Sequence, residues 1–232
     1  MGTMQLKDVI AELRSMGDPE AAAGMARYGI KTGRALGVSI PGLQSLAKKI
    51  GKNRKLAQDL WSSAIHEARI LACMIDDPQQ ITADRLERLV NEFDSWDLCD
   101  QCCNRLFSKT PFARQKALAW ANRPEEFVKR AGFVMMAVLA VHDKAATDKQ
   151  FDAFFERIKK GAIDGRNFVK KAVNWALRQI GKRNMSLNRK AIAVAEEIQQ
   201  LESKAARWIA NDALRELRSE KIQKRLSGRA IP

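Results

Sequence analysis

Asp100 is the residue in this chain best placed to do chemistry, because a lone carboxylate and an aromatic ring share one turn of a short predicted helix. The helix is Ser95-Trp96-Asp97-Leu98-Cys99-Asp100-Gln101-Cys102-Cys103-Asn104-Arg105-Leu106-Phe107, opened by a serine cap. At about 100° per residue, Leu98, Cys99, Cys102, Cys103, Leu106 and Phe107 fill one apolar arc, and Asp100 falls just past its edge, one turn above Trp96. An indole and an acid therefore look out together. A second aromatic stands off its own core: in the segment from Phe168 to Ile180, Val169, Ala172, Val173, Ala176, Leu177 and Ile180 make a compact stripe. Trp175 points roughly 140° from the centre of that stripe, flanked by Phe168, Lys171 and Arg178. Arg130 emerges from the flank of a helix that is apolar nearly all round, either as an ion pair with Glu126 or as a phosphate clamp. Lys31, Thr32 and Arg34, in a glycine-rich loop, have the chemistry to hold a phosphate, and Trp208 is a weaker candidate for an exposed ring.

The composition says what such groups would meet. Lys and Arg number 41 against 27 Asp and Glu in 232 residues, a formal charge of +14 that favours a polyanionic partner, nucleic acid first. Cys73, Cys99, Cys102 and Cys103 form neither a disulfide framework nor a redox pair at a strand end, and they are expected to be reduced, packed thiols. With His66 and His142 the only histidines, spaced zinc ligands are lacking, so no metal and no cofactor is expected. There is no signal-peptide pattern and no apolar run of about 18 residues, which predicts no membrane association and a cytoplasmic location.

The elements that must position these residues are helical. Helical spacing runs through Met4 to Met16, then, past a compact loop, from Pro41 to Ile50, Leu56 to Ile75, Ala83 to Phe93, Ser95 to Phe107, Pro111 to Asn122 and Pro124 to His142. It continues through Asp148 to Lys160, Arg166 to Ile180, Leu187 to Leu201 and Lys204 to Leu217, and no segment alternates with period two. The chain is all-α. It also repeats: Phe127-Val128-Lys129-Arg130-Ala131 is echoed 41 residues later by Phe168-Val169-Lys170-Lys171-Ala172, and Ala176-Leu177-Arg178 is echoed 37 residues later by Ala213-Leu214-Arg215. Those offsets fit paired-helix repeats of the HEAT and armadillo kind, which stack into an α-α superhelix with a concave groove, here expected to be basic and wide enough for a duplex. The expectation is one HEAT-like solenoid domain over residues 1–232, with 1–3 and 219–232 as flexible tails.

Four stretches, taken in order, resemble the AlkD family of DNA alkylation repair glycosylases. They are Met25-Ala26-Arg27-Tyr28 with Gly37-Val38-Ser39-Ile40-Pro41, then Ser95-Trp96-Asp97-Leu98-Cys99-Asp100, then Val128-Lys129-Arg130-Ala131, and finally Lys171-Ala172-Val173-Asn174-Trp175-Ala176-Leu177-Arg178. The resemblance implies a site of Trp96, Asp100 and Trp175, with Arg130 gripping the DNA backbone nearby. Lys170, Lys171, Arg178 and Arg34 are expected as further DNA contacts. It implies excision of N3- and N7-alkylated purines from double-stranded DNA by a monofunctional enzyme, expected to be a monomer. A base that already carries positive charge leaves without a general acid, so one ionised carboxylate is enough to steady the sugar cation that develops. The alternative is a repeat scaffold that binds nucleic acid without chemistry.

Overall fold

A computed structural model describes residues 4–228, and among them there are fourteen α-helices and no strand. The chain divides into two compact units, the first ending at Pro111 and the second starting at Phe112. The first unit holds α1 (Leu6–Ser15), α2 (Pro19–Met25), α3 (Ile40–Ile50), α4 (Arg54–Ser62), α5 (His66–Ile75), α6 (Ala83–Asn91) and α7 (Trp96–Arg105). The second holds α8 (Ala113–Trp120), α9 (Glu126–His142), α10 (Asp152–Gly161), α11 (Asn167–Gly181), α12 (Met185–Gln199), α13 (Lys204–Leu217) and α14 (Glu220–Ser227).

Local chemistry sets many of the boundaries. The side chains of Asp18, Ser39, Asn53, Thr82, Asn184, Ser203 and Ser219 each accept a backbone N–H at the start of the helix they cap. One boundary was not visible in the sequence: the stretch from Leu56 to Ile75, expected as one helix, is two. The chain breaks at Ala64, which takes a left-handed φ of 56°, while the Ser63 hydroxyl donates to the Leu60 carbonyl at 2.7 Å. A left-handed alanine costs about 1 kcal/mol, and neither Gly nor Pro announces it. The break makes His66 the first residue of α5 instead of a mid-helix residue.

In the first unit α5 packs against α3, α4 and α7. His66 at the start of α5 meets Asp97 at the start of α7, and Cys73 near the end of α5 meets Cys102 late in α7, so the two helices run parallel. The cysteine expectation is corrected here. Cys73 and Cys102 form a disulfide with Cα atoms 5.3 Å apart, and Cys99 and Cys103 lie outside that bond, both buried. Spacing along one helix could not reveal a partner 29 residues away on its neighbour.

In the second unit α9, α11 and α13 pack in sequence, and α8 packs on α9 through Gly132, where any Cβ would strike the Ala121 backbone. Phe127 and Phe168, equivalent positions in the 41-residue echo, bring their rings to 5.6 Å. Repeat spacing in the sequence is thus side-chain stacking in the fold. Residues 1–3 and 229–232 lie outside the described residues, but 220–227, expected within a flexible tail, form α14. Ile222 and Leu226 are buried there, on the apolar side of an otherwise polar octapeptide.

Candidate functional site

In the first unit, α7 carries the acid and the indole. Leu98, Cys99, Cys102 and Cys103 are buried beneath it, and Trp96 and Asp100 are half-buried at its edge. The Trp96 indole Nε1 donates to the Tyr28 carbonyl at 2.9 Å, which fixes the ring and ties the start of α7 to the turn after α2. The Tyr28 side chain itself is 68% exposed.

Beside that turn lies an arrangement the sequence reading did not single out. His66 Nε2 sits 2.7 Å from Asp97 Oδ2, with the two side chains only 6% and 17% exposed. Burial works against charge on both, and the pairing wins: the Asp97 carboxyl is held below its ordinary range by His66, and the His66 imidazole is raised above 6.5 by Asp97, aided by Glu67 and Asp94. His66 lines a cavity of about 420 Å³ together with Lys31, Gly33, Arg34, Ala64, Arg69 and Asp94. The loop that supplies Lys31 and Arg34 is pinned to the first turn of α5. The Glu67 carboxylate accepts the Leu36 and Gly37 amides at 2.8 and 2.7 Å, and the His66 amide donates to the Arg34 carbonyl at 3.0 Å. Gly37, at φ 80°, is obligatory: a side chain there would run into the Asp18 carbonyl. The only sequence signal for this site was the basic loop. Its partner residues lie 31 positions apart and meet through helix packing alone.

A second cationic cavity, of about 280 Å³, lies at the other end of the same helices and is lined by Lys48, Lys52, Arg105 and Lys109 together with Gln44 and Met74. Burial lowers the Lys109 ammonium, and the charges of Lys52 and Arg105 lower it further.

In the second unit, Trp175 lies half-buried on α11, off the fully buried stripe of Val169, Ala172, Val173, Ala176, Leu177 and Ile180. Lys171 is exposed. Lys170 places its Nζ 4.7 Å from the centre of the Trp208 ring, which is 40% exposed. Two of the expected phosphate contacts have partners inside the protein. The Arg178 Nη1 donates to Asp212 Oδ2 at 2.8 Å and its Nε lies 3.0 Å from Glu216 Oε2, both acids of α13. Arg130 is only 5% exposed, and its Nη1 donates to the Phe168 carbonyl at 2.6 Å. Asn174 also donates to Asp212, at 2.7 Å. Burial opposes charge on Asp212, but this bond and the charges of Arg178 and Arg215 hold its carboxyl below the ordinary range.

Among the described residues, no three His, Cys, Asp or Glu side chains converge as a metal site, and no helix is long and apolar enough to cross a membrane. Comparison with known proteins gives three results. No curated protein matches the sequence. The fold is similar to that of a solved structure described as "a new family of proteins related to the HEAT-like repeat DNA glycosylases with affinity for branched DNA structures". The TM-score is 0.78 and the identity 22%, over 92% of this chain and 95% of that one. Residues 9–217 match the DNA alkylation repair enzyme family, which spans the capped Pro41 helix, the Trp96 to Asp100 turn and the whole α9 to α13 stack. With a HEAT-like all-α fold and a match over nearly its full length, this chain belongs to the DNA alkylation repair enzyme family.

Proposed function

We propose that this protein is a DNA glycosylase that hydrolyses the N-glycosidic bond of N3- and N7-alkylated purines in duplex DNA. The observation that carries the proposal is the α7 turn itself, with a half-buried Asp100 one turn from an indole whose edge is fixed on the Tyr28 carbonyl. Such a base is cationic, so it departs without protonation, and the barrier lies in the positive charge gathering on the sugar. An ionised carboxylate about 4 Å from that charge, at an effective dielectric near 20, is worth about 4 kcal/mol, or about 10³ in rate. Asp100 supplies that charge and orients the attacking water. Trp96 and Trp175 offer ring faces to the sugar and to the cationic base.

Backbone contacts fall to Lys171, Lys170 and Arg34. Arg178 and Arg130, each engaged within the second unit, set the position of α11 and reach a phosphate only by exchanging an internal acceptor for it. The test is release of free 7-methylguanine or 3-methyladenine from methylated duplex. Asp100→Asn should slow release by about 10²- to 10³-fold. Undiminished release by this variant, or none by the parent protein, would refute the assignment.

A second reading is favoured by the similar solved structure, whose description gives affinity for branched DNA. On that reading the chain binds junctions without turnover, binding weakens steeply with salt, and neutralising Asp100 tightens it.

A further inference from the structure

We propose that the cavity at the N-terminal end of α5 binds one phosphate group of a nucleic-acid strand through Lys31, Arg34 and the His66 imidazole, with Asp97 as the positioning residue that orients the ring. The proposal rests on the DNA reading above and adds to it a defined subsite, reached from α7 three residues before Asp100.

The two cationic cavities of the first unit separate a ligand site from ordinary helix capping. At the C-terminal end of α5, the Lys52 Nζ already donates to the Met74 and Asp76 carbonyls at 3.2 and 2.6 Å, while Lys48 and Arg105 lie in the last turns of α3 and α7. Cations there answer carbonyl ends, and those carbonyls repel an anion. At the N-terminal end the polarity reverses. The parallel helices α5 and α7 both begin at this end, and amide ends favour an anion.

Lys31 and Arg34 have no carboxylate partner among the described residues, and both are exposed on a loop fixed at its base by Glu67. Arg69 closes one wall, held by Glu92 at 3.2 Å and stacked 5.2 Å from the Trp61 ring. The groups that bear on His66 are Glu67 and Arg69 from its own helix, Asp97 and Asp94 from α7 and the residues before it, and Lys31 and Arg34 from the loop. The acids favour the protonated ring, and the loop cations give an anion its counter-charge. Asp94, the one acid of the lining, bears on the ring. A volume of about 420 Å³ takes a phosphate with the sugar attached to it.

The ligand chemistry is a phosphate oxygen cluster, either a strand's terminal phosphomonoester or an internal phosphodiester. The chain has only two histidines, so imidazole nitrogen resonances of the full-length protein read the cavity at His66 with His142 as an internal control. Three probes are titrated: inorganic phosphate, a short duplex with a 5′-phosphate, and the same duplex without one. Saturable movement of His66 alone is expected. Movement with both duplexes identifies the phosphodiester, and movement only with the phosphorylated duplex identifies the strand end.

Because Lys31 and Arg34 are exposed, their joint change to Ala leaves the fold intact, and binding should weaken at least about tenfold. A phosphodiester keeps one charge across the working range, so wild-type affinity for the unphosphorylated duplex should fall as pH rises through the raised His66 value. In Asp97→Asn the main group opposing burial is gone, and the midpoint should move down. His66 signals unmoved by all three probes, or equal affinity in the double variant, overturn the proposal. Base release from methylated DNA is read separately, so failure of the glycosylase reading is seen independently of this cavity.

Discussion

Two regions, one in each unit, answer their basic residues differently. On α11 the protein supplies the counter-charge itself: Asp212 and Glu216 of α13 take Arg178, and Glu216 also takes Lys182 at 2.8 Å. In the loop before α3, Lys31 and Arg34 are left without a carboxylate partner among the described residues. A net charge of +14 is therefore no measure of surface available to a polyanion. Cations paired to a neighbouring repeat mainly fix the stacking of helices, and cations left over on a pinned loop are available to a ligand.

This contrast is broken or sharpened by four measurements, in order of expected effect. Reduction of the Cys73–Cys102 disulfide releases a 29-residue loop, and it should lower the stability of the first unit by about 3 kcal/mol. Amide exchange of α5 and α7 would rise while α11 and α13 stay protected. Equal loss in both units would show that they unfold together. Next, Asp97→Asn leaves His66 buried beside Glu67 without its main partner, at a cost of about 3 kcal/mol in urea unfolding.

The pH dependence of that pair has two arms. Asp97 lies below its usual 3.8, so its stabilisation is present above that value and is lost as pH falls through the depressed one. His66 lies above 6.5, so its stabilisation is complete below 6.5 and is lost as pH rises through the raised value. The wild-type stability curve should slope downward on the alkaline side of 6.5, and His66→Gln should flatten that slope. Third, Asp212→Asn removes the negative charge shared by Asn174 and Arg178, leaving a single neutral oxygen as acceptor, and should cost about 2 kcal/mol. If Arg178 is then free to reach phosphate, DNA affinity rises and its salt slope steepens by about one unit. An unchanged slope would confine Arg178 to a structural role. Smallest is Lys170→Ala, where loss of the contact with Trp208 should cost less than about 1 kcal/mol, seen as a small shift in indole fluorescence.

What was legible in the sequence follows from where each piece of information resides. Helix α13 runs from Lys204 to Leu217, the span its apolar spacing predicts, because Ser203 caps it and its buried stripe is local. Trp175 could be placed off its stripe for the same reason. The break at Ala64 was hidden because the strain of a left-handed alanine is carried by tertiary packing and by a serine hydroxyl. The Asp97 and His66 pairing, the Cys73 and Cys102 bond and the acids facing Arg178 were hidden by one shared cause. Each depends on the axial register of one helix against the next, and a periodic pattern specifies which face is buried but not how far it slides. Asp100 was visible as an acid at an apolar edge. Asp97, three residues earlier, looked like an ordinary first-turn carboxylate.

The Glu67 clamp on the Leu36 and Gly37 amides also says where this chain can vary. With Gly29 turning the chain at one end and Glu67 holding it at the other, the segment 30–35 is a tether whose endpoints are set by the first unit's own helices. Residues can be added to or taken from that tether at little entropic cost, since closure of a loop grows only slowly with its length. A change at Leu36, Gly37 or Glu67 instead uncouples the loop from α5. Related chains should therefore differ in tether length and charge while the clamp stays constant, and ligand preference could be re-specified there without touching the helix that carries Asp100.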